Sequence, residues 1–206
     1  MTEAALAAPA TTDKRDRILK ATADLLVTGG LETPMSRIAS RAGVAIGTIY
    51  AHFPSKTDLV LGVYARLADQ TVAALVPRAE RAPAPSQASP DDARARVMDY
   101  LHAYIDFFWA DSDRAVLFEY MSNVPLIPAA DIAEVFRPVR EYNHHIFAEA
   151  QAAGLLRPGA PRGMVAMVGG GIRNALKWRR VRGEDLTEAD RTELAEMCWS
   201  AIARPG

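Results

Sequence analysis

Ala39, Gly43 and Ile49 stand at the spacing at which two short helices meet around a turn. Such a meeting needs a small residue where the helices touch. It needs a glycine that can take the left-handed conformation ending the first helix, and then an apolar side chain that closes the core. All three lie in MSRIASRAGVAIGTIYAHFPSK, residues 35–56, and Val44 joins the same small core. A helix-turn-helix of this kind offers its second helix to the major groove of DNA. Charge points the same way. No Asp or Glu lies between Glu32 and Asp58, whereas Arg37, Arg41 and Lys56 do, and a phosphate-facing surface requires such a local excess. The whole chain carries a net charge of only −1, so nucleic-acid binding has to come from this patch. Three basic residues alone describe an ordinary solvated face, so the turn spacing carries most of the inference.

The elements that must position this motif can also be read. A first helix is expected from Asp13 to Val27, stopping at Gly29-Gly30, with Ile18, Leu25 and Leu26 facing inward. Thr33 followed by Pro34 has the form of an N-cap with proline at the first helical position, with residues 36–42 as the helix body. Pro54-Ser55-Lys56 starts a fourth helix, capped by Ser55, in which Leu59, Val60, Val63, Tyr64 and Leu67 recur at helical spacing.

The segments Ile38-Ala39, Ala42-Gly43-Val44, Gly47-Thr48-Ile49-Tyr50, His52-Phe53 and Ser55-Lys56-Thr57-Asp58-Leu59 resemble the TetR/AcrR transcriptional regulators. The resemblance covers roughly residues 13–73, and beyond residue 75 only the general pattern is shared. It implies an all-α fold of about nine helices, with an N-terminal helix-turn-helix DNA-binding domain followed by a helical ligand-binding and dimerisation domain. It further implies that the second helix enters the major groove as one half of a dimer, with Tyr50, His52 and Lys56 mainly holding the DNA backbone. The chain departs from the family pattern at Ala45 and Ile46, where a hydroxyl capping residue and often a basic side chain would stand. Hydrogen-bonded readout is therefore thin. Thr48 can reach a base edge or phosphate, Ile46 can press on a thymine methyl, and the amides around Gly47 can donate to a phosphate oxygen. The expected DNA-binding set is thus Arg37, Ala45, Ile46, Gly47, Thr48, Tyr50, His52 and Lys56, reading an AT-containing half-site of a palindromic operator.

Half of the 206 residues are apolar, enough for a small domain plus a larger one. The expected organisation is a disordered tail over 1–12, the DNA-binding domain over 13–73, a Pro-rich connection over 74–90 and a helical regulatory and dimerisation domain over 91–206. No apolar run has the length of a membrane span, and MTEAALAAPATT lacks the form of a secretory signal. With its single cysteine, Cys198, read as a reduced thiol in a helix, the chain is expected to be cytoplasmic. No metal or other cofactor is expected: His144 and His145 are adjacent, and adjacent helical side chains point about 100° apart.

Helical patterns continue over about 91–110, 113–122, 131–153, 161–180 and 187–203. Twelve of the fifteen aromatic residues lie beyond residue 91, and they either pack solidly or line a cavity. The candidate contacts for a small apolar or aromatic effector are Tyr100, Tyr104, Phe108, Phe118, Met121, Phe136, His144, Phe147 and Arg173. Asn123 and Asn143 are further polar residues in the same helices. Met164, Val168 and Ile172, with Leu194, Met197 and Ile202, recur at helical intervals in the last two helices and suit a four-helix homodimer interface. Gly169-Gly170-Gly171 lies inside the first of these helices, where close packing, a bend or a break would have to accommodate it.

Three readings follow. The first is a repressor released from its operator by a small ligand. The second is a DNA-binding regulator governed by a protein partner, its aromatics forming a filled core. The third is a helical enzyme, disfavoured because the sequence has no glycine-rich phosphate loop, metal-ligand spacing or nucleophile with an evident base.

Overall fold

A computed structural model of the chain describes residues 14–76, 89–123 and 126–205. The expected N-terminal tail and most of the Pro-rich connection lie outside the described residues. Among those described there are ten helices: α1 (Lys14–Gly29), α2 (Met35–Ala42), α3 (Ile46–His52), α4 (Lys56–Leu75), α5 (Pro90–Ala110), α6 (Ser112–Asn123), α7 (Ala129–Val135), α8 (Arg137–Ala152), α9 (Pro161–Val181) and α10 (Glu188–Ile202). The chain divides into two compact units, residues 1–63 and 64–206, within α4 and upstream of the limit expected at residue 73.

In the first unit, α1 packs on α2 and α2 on α3. Ile18, Leu19, Leu26, Ile38, Ile49 and Leu59 are fully enclosed, and burying each such side chain contributes about 1.5–3 kcal/mol. Gly43 takes φ 64° and ψ 42° and ends α2. The Val44 N–H donates to the Ala39 carbonyl at 3.1 Å and the Gly43 N–H to the Ser40 carbonyl at 3.2 Å. Gly62 does a different job: a Cβ there would lie 2.9 Å from the Phe53 ring and 3.0 Å from Leu19, so α4 sits close over both. Ser55 caps α4, its Oγ accepting from the Asp58 N–H at 3.1 Å. Thr33, by contrast, does not cap α2. Its buried hydroxyl donates to the carbonyls of Gly30 at 2.9 Å and Leu25 at 3.3 Å, tying the turn to the end of α1. Pro34 itself occupies the cap position, without a side-chain bond.

In the second unit, α5 is the central helix, packed against α8, α9 and α10. Capping boxes start α5 and α10, with Ser89 and Asp92 at one and Thr187 and Asp190 at the other. The helix expected over 131–153 is two helices, because Pro138 near the start of α8 has no N–H to donate and its ring would crowd the carbonyl four residues earlier. Phe136, at φ −93° and ψ 10°, forms the corner between them. Helix α9 runs unbroken through Gly169-Gly170-Gly171. Close packing explains Gly169, where a Cβ would lie 3.0 Å from the Tyr104 hydroxyl; Gly170 and Gly171 face open space. A single antiparallel bridge joins Leu156 to Ala203.

Candidate nucleic-acid interface and effector site

Helix α3 is held from beneath by Ile49 and presents its other faces to solvent. Ile46 is 45% and Tyr50 47% exposed, large values for side chains of this kind. Ala45, Gly47 and His52 are also exposed, and Thr48 and Lys56 are half-buried. Ala45 caps α3 with no side-chain hydrogen bond, as its methyl requires. Arg37 on α2 is exposed, whereas Arg41 is engaged with Asp24 of α1 at 3.2 Å. Arg15 is one contribution that sequence reasoning missed. Its guanidinium lies 5.3 Å from the centre of the Phe53 ring, bracing the corner after α3. A cation opposite an aromatic face of another element leaves no periodic signal in the sequence.

The described aromatic residues of the second unit form a continuous stack. Tyr104 and Phe108 have ring centres 4.6 Å apart, Phe108 and Phe118 5.2 Å, and Phe118 and Phe136 5.3 Å. Tyr100 stands edge-on to Phe147 at 5.8 Å. Of the expected effector contacts, Tyr100, Tyr104, Phe108, Phe136 and Phe147 are therefore buried against one another, while Phe118 and Met121 are half-buried. His144 is exposed and lies apart from this stack, on a groove of about 640 Å³ between α8 and α9 lined also by Arg137, Arg140, Asn143 and Arg162. Asn123 ends α6, and its side chain lies outside the described residues. Arg173 lines a separate groove, between α6 and α9.

Polar groups interrupt this apolar core. Arg173 donates to the Tyr104 hydroxyl, and its guanidinium lies 5.8 Å from the Phe108 ring centre and 5.5 Å from that of Phe118. The Tyr100 hydroxyl is buried beside the side chain of Asn143. Burial, with the neighbouring Tyr104 hydroxyl second, holds the Tyr100 phenol well above its ordinary value of 10.0. A phenol whose folded pKa is raised stabilises the fold fully below the unfolded pKa, and that stability is lost above it as the unfolded chain ionises. Urea midpoints measured from pH 8 to pH 11 should fall at the alkaline end, and less steeply in Tyr100→Phe. Equal slopes in the two proteins would show that Tyr100 ionises as easily folded as unfolded.

Helix α9 carries Arg173, Lys177 and Arg180 toward a second groove, of about 480 Å³, walled by Ala115, Val116 and Glu119 of α6. Arg180 donates to the Phe108 carbonyl at 2.8 Å and to that of Trp109, satisfying the end of α5. Lys177 and Arg180 were not singled out in the sequence, although their spacing from Arg173, four and seven residues on, places them on one helix face.

The expected dimer residues fall into buried and exposed groups. Met164, Val168, Ile172 and Ile202 are buried inside the single chain, because the regular apolar stripe of each helix turns into its own core. Leu194 is half-buried. The exposed apolar side chains of α9 and α10 are Met167 at 50%, Trp178 at 51%, Val181, and Met197 at 62%, the last already among the expected set.

Among the described residues, then, a helix-turn-helix unit with an exposed second helix accompanies a larger helical unit with an aromatic core. Residues 18–63 match the model of the bacterial regulatory proteins of the tetR family. The chain is 45% identical over 62 residues to the HTH-type transcriptional repressor KstR of Rhodococcus jostii, a match covering 30% of this chain and only 29% of that repressor. In structure it is similar to a TetR family transcription regulator from Marinobacter aquaeolei, with TM-score 0.76 and 18% identity over 93% of this chain and 96% of that one. It is likewise similar to the regulator FadR of Bacillus subtilis, solved in complex with stearoyl-CoA, with TM-score 0.66 and 20% identity over 89% and 95% of the two chains. Residues 18–63 thus carry a tetR-family head, and the chain as a whole has the fold of these regulators. No helix among the described residues is long and apolar enough to cross a membrane.

Proposed function

We propose that this protein is a sequence-specific transcriptional repressor that binds a palindromic operator as a homodimer and leaves it when a small effector binds the helical domain. The observation that carries the reading is α3, packed through Ile49 and otherwise presented to solvent. Such a protein works where the chromosome is, in the bacterial cytoplasm. The two heads of a dimer would sit about 34–36 Å apart on successive major grooves. The exposed Met167, Trp178 and Met197 are the dimer face we favour. The open space beside Gly170 and Gly171 lets a second helix approach closely. An effector releases DNA only by preferring the unbound conformation, so DNA must weaken effector binding by the same factor.

Selection from random duplex DNA tests this reading, with an AT-containing inverted repeat as the expected product. On that repeat, Tyr50→Ala or Lys56→Ala should weaken binding to all sequences alike and, for Lys56, reduce the salt slope by about 1. Thr48→Ala should instead change which half-sites are preferred. Unchanged preference in Thr48→Ala would remove Thr48 from base reading.

The filled aromatic stack supports a second reading, in which a protein partner governs the helical domain in place of a small ligand. Release of the purified protein from DNA by a small molecule alone decides between the two. The proteins that the chain resembles here are transcription regulators, and detectable turnover of a bound ligand, lost on changing His144 or Glu119, is what an enzyme would require.

A further inference from the structure

A guanidinium set against an aromatic stack needs a reason. Arg173 is half-buried, and its guanidinium donates to the hydroxyl of Tyr104, a neutral group. Its Nε is sealed from solvent and has no hydrogen-bond partner. The geometry that holds it is specific: Phe108 and Phe118 flank the guanidinium, and the absence of a side chain at Gly169 leaves room for the Tyr104 hydroxyl. A partly enclosed guanidinium is best stabilised when an anion or a full set of acceptors meets it. Arg173 also lines the groove between α6 and α9, whose volume of about 480 Å³ falls in the range that holds a small organic molecule. Along the same wall, Arg180 is committed to the carbonyls that end α5, while Lys177 is exposed at the rim. Ala115, Val116 and Val181 supply apolar surface to the same groove.

We propose that this groove binds an amphipathic organic acid, its carboxylate held by Arg173 and Lys177 and its apolar body lying on Ala115, Val116 and Val181. The proposal deepens the effector reading above and rests on it for its regulatory meaning, though binding itself can be measured without DNA. A planar guanidinium suits a carboxylate because two parallel N–H groups meet two oxygens. Glu119 on the opposite wall disfavours a second negative charge there, which selects monoacids over diacids.

The probes are 2-naphthoate and decanoate, each against its uncharged amide, titrated calorimetrically into the full chain. Each acid should bind at least about tenfold more tightly than its amide, the difference a charge-assisted pair makes. Arg173→Gln should cost the acids roughly tenfold and leave the amides unchanged. Because Arg173 touches the core, Lys177→Gln at the exposed rim provides a variant that leaves the fold intact, with an expected loss of about threefold for the acids alone. Amides that bind as well as the acids, acids that bind both variants as tightly as the wild type, or no binding of either acid at millimolar concentration would each overturn the proposal. Repeating the titration with operator DNA separates the two levels. Acid that binds but leaves the DNA complex intact keeps the site and removes its role as effector site. Release of DNA by an uncharged molecule, with no acid bound, keeps the regulator and removes the acid site.

Discussion

Phe108→Ala should lower the stability of the helical domain by about 3–5 kcal/mol, the usual cost of emptying a large aromatic site. Phe108 is fully enclosed. Its ring touches those of Tyr104, Phe107 and Phe118 at centre distances of 4.6, 5.1 and 5.2 Å, and Arg173 lies over its face at 5.8 Å. Removing it therefore takes away a transfer contribution, three ring contacts and one wall of the guanidinium cage together. A urea titration followed by circular dichroism measures the loss, and an unchanged denaturant slope would show that only stability has moved. Domains of this size are stable by about 5–15 kcal/mol in all, so the variant should be close to unfolding at 37 °C. A loss below about 1 kcal/mol would mean that the ring sits in a loosely filled chamber, the arrangement an aromatic ligand needs. The same titration thus bears on whether the core is filled or open.

The head was more legible than the domain that follows it, for physical reasons visible in particular residues. The head's key features are local. A left-handed glycine at Gly43, a small contact at Ala39 and a core side chain at Ile49 lie within eleven residues of sequence and leave few other arrangements. Thr33 shows where local reading fails. A threonine before proline satisfies the rule for an N-cap, but its hydroxyl had an alternative in the carbonyls at the end of α1 and took it. The break at Phe136 was written in Pro138, whose missing N–H and ring oppose a continuous helix there.

Farther along, the information is not local at all. The stripe of Met164, Val168 and Ile172 gives the same sequence pattern whether it faces its own core or a second chain, and only the packing of α5 against α9 shows that the core took it. For the effector residues, periodicity found the aromatic rings but not their order in space. Arg173 was found by its polarity, whereas its meaning depends on Tyr104, sixty-nine residues earlier.

Ile49→Ala should cost about 2–5 kcal/mol of head stability and with it most DNA binding. Ile49 is the one residue of α3 that is fully buried, so the helix that faces DNA is fastened to its support chiefly by this side chain. Truncating it leaves a void beneath a seven-residue helix, too short to hold its own shape in water. The informative comparison is Tyr50→Ala on the next position of the same helix. Tyr50 is 47% exposed, so its loss should leave the thermal transition within a few degrees of wild type while weakening DNA affinity. Fluorescence anisotropy on the selected repeat, with thermal melting followed by circular dichroism, separates the two: Ile49→Ala should lose both affinity and stability, Tyr50→Ala only affinity. Wild-type affinity in Ile49→Ala would show that α3 is ordered by DNA and not by the core beneath it. Recognition would then be coupled to folding of the helix, and affinity would carry the cost of that ordering.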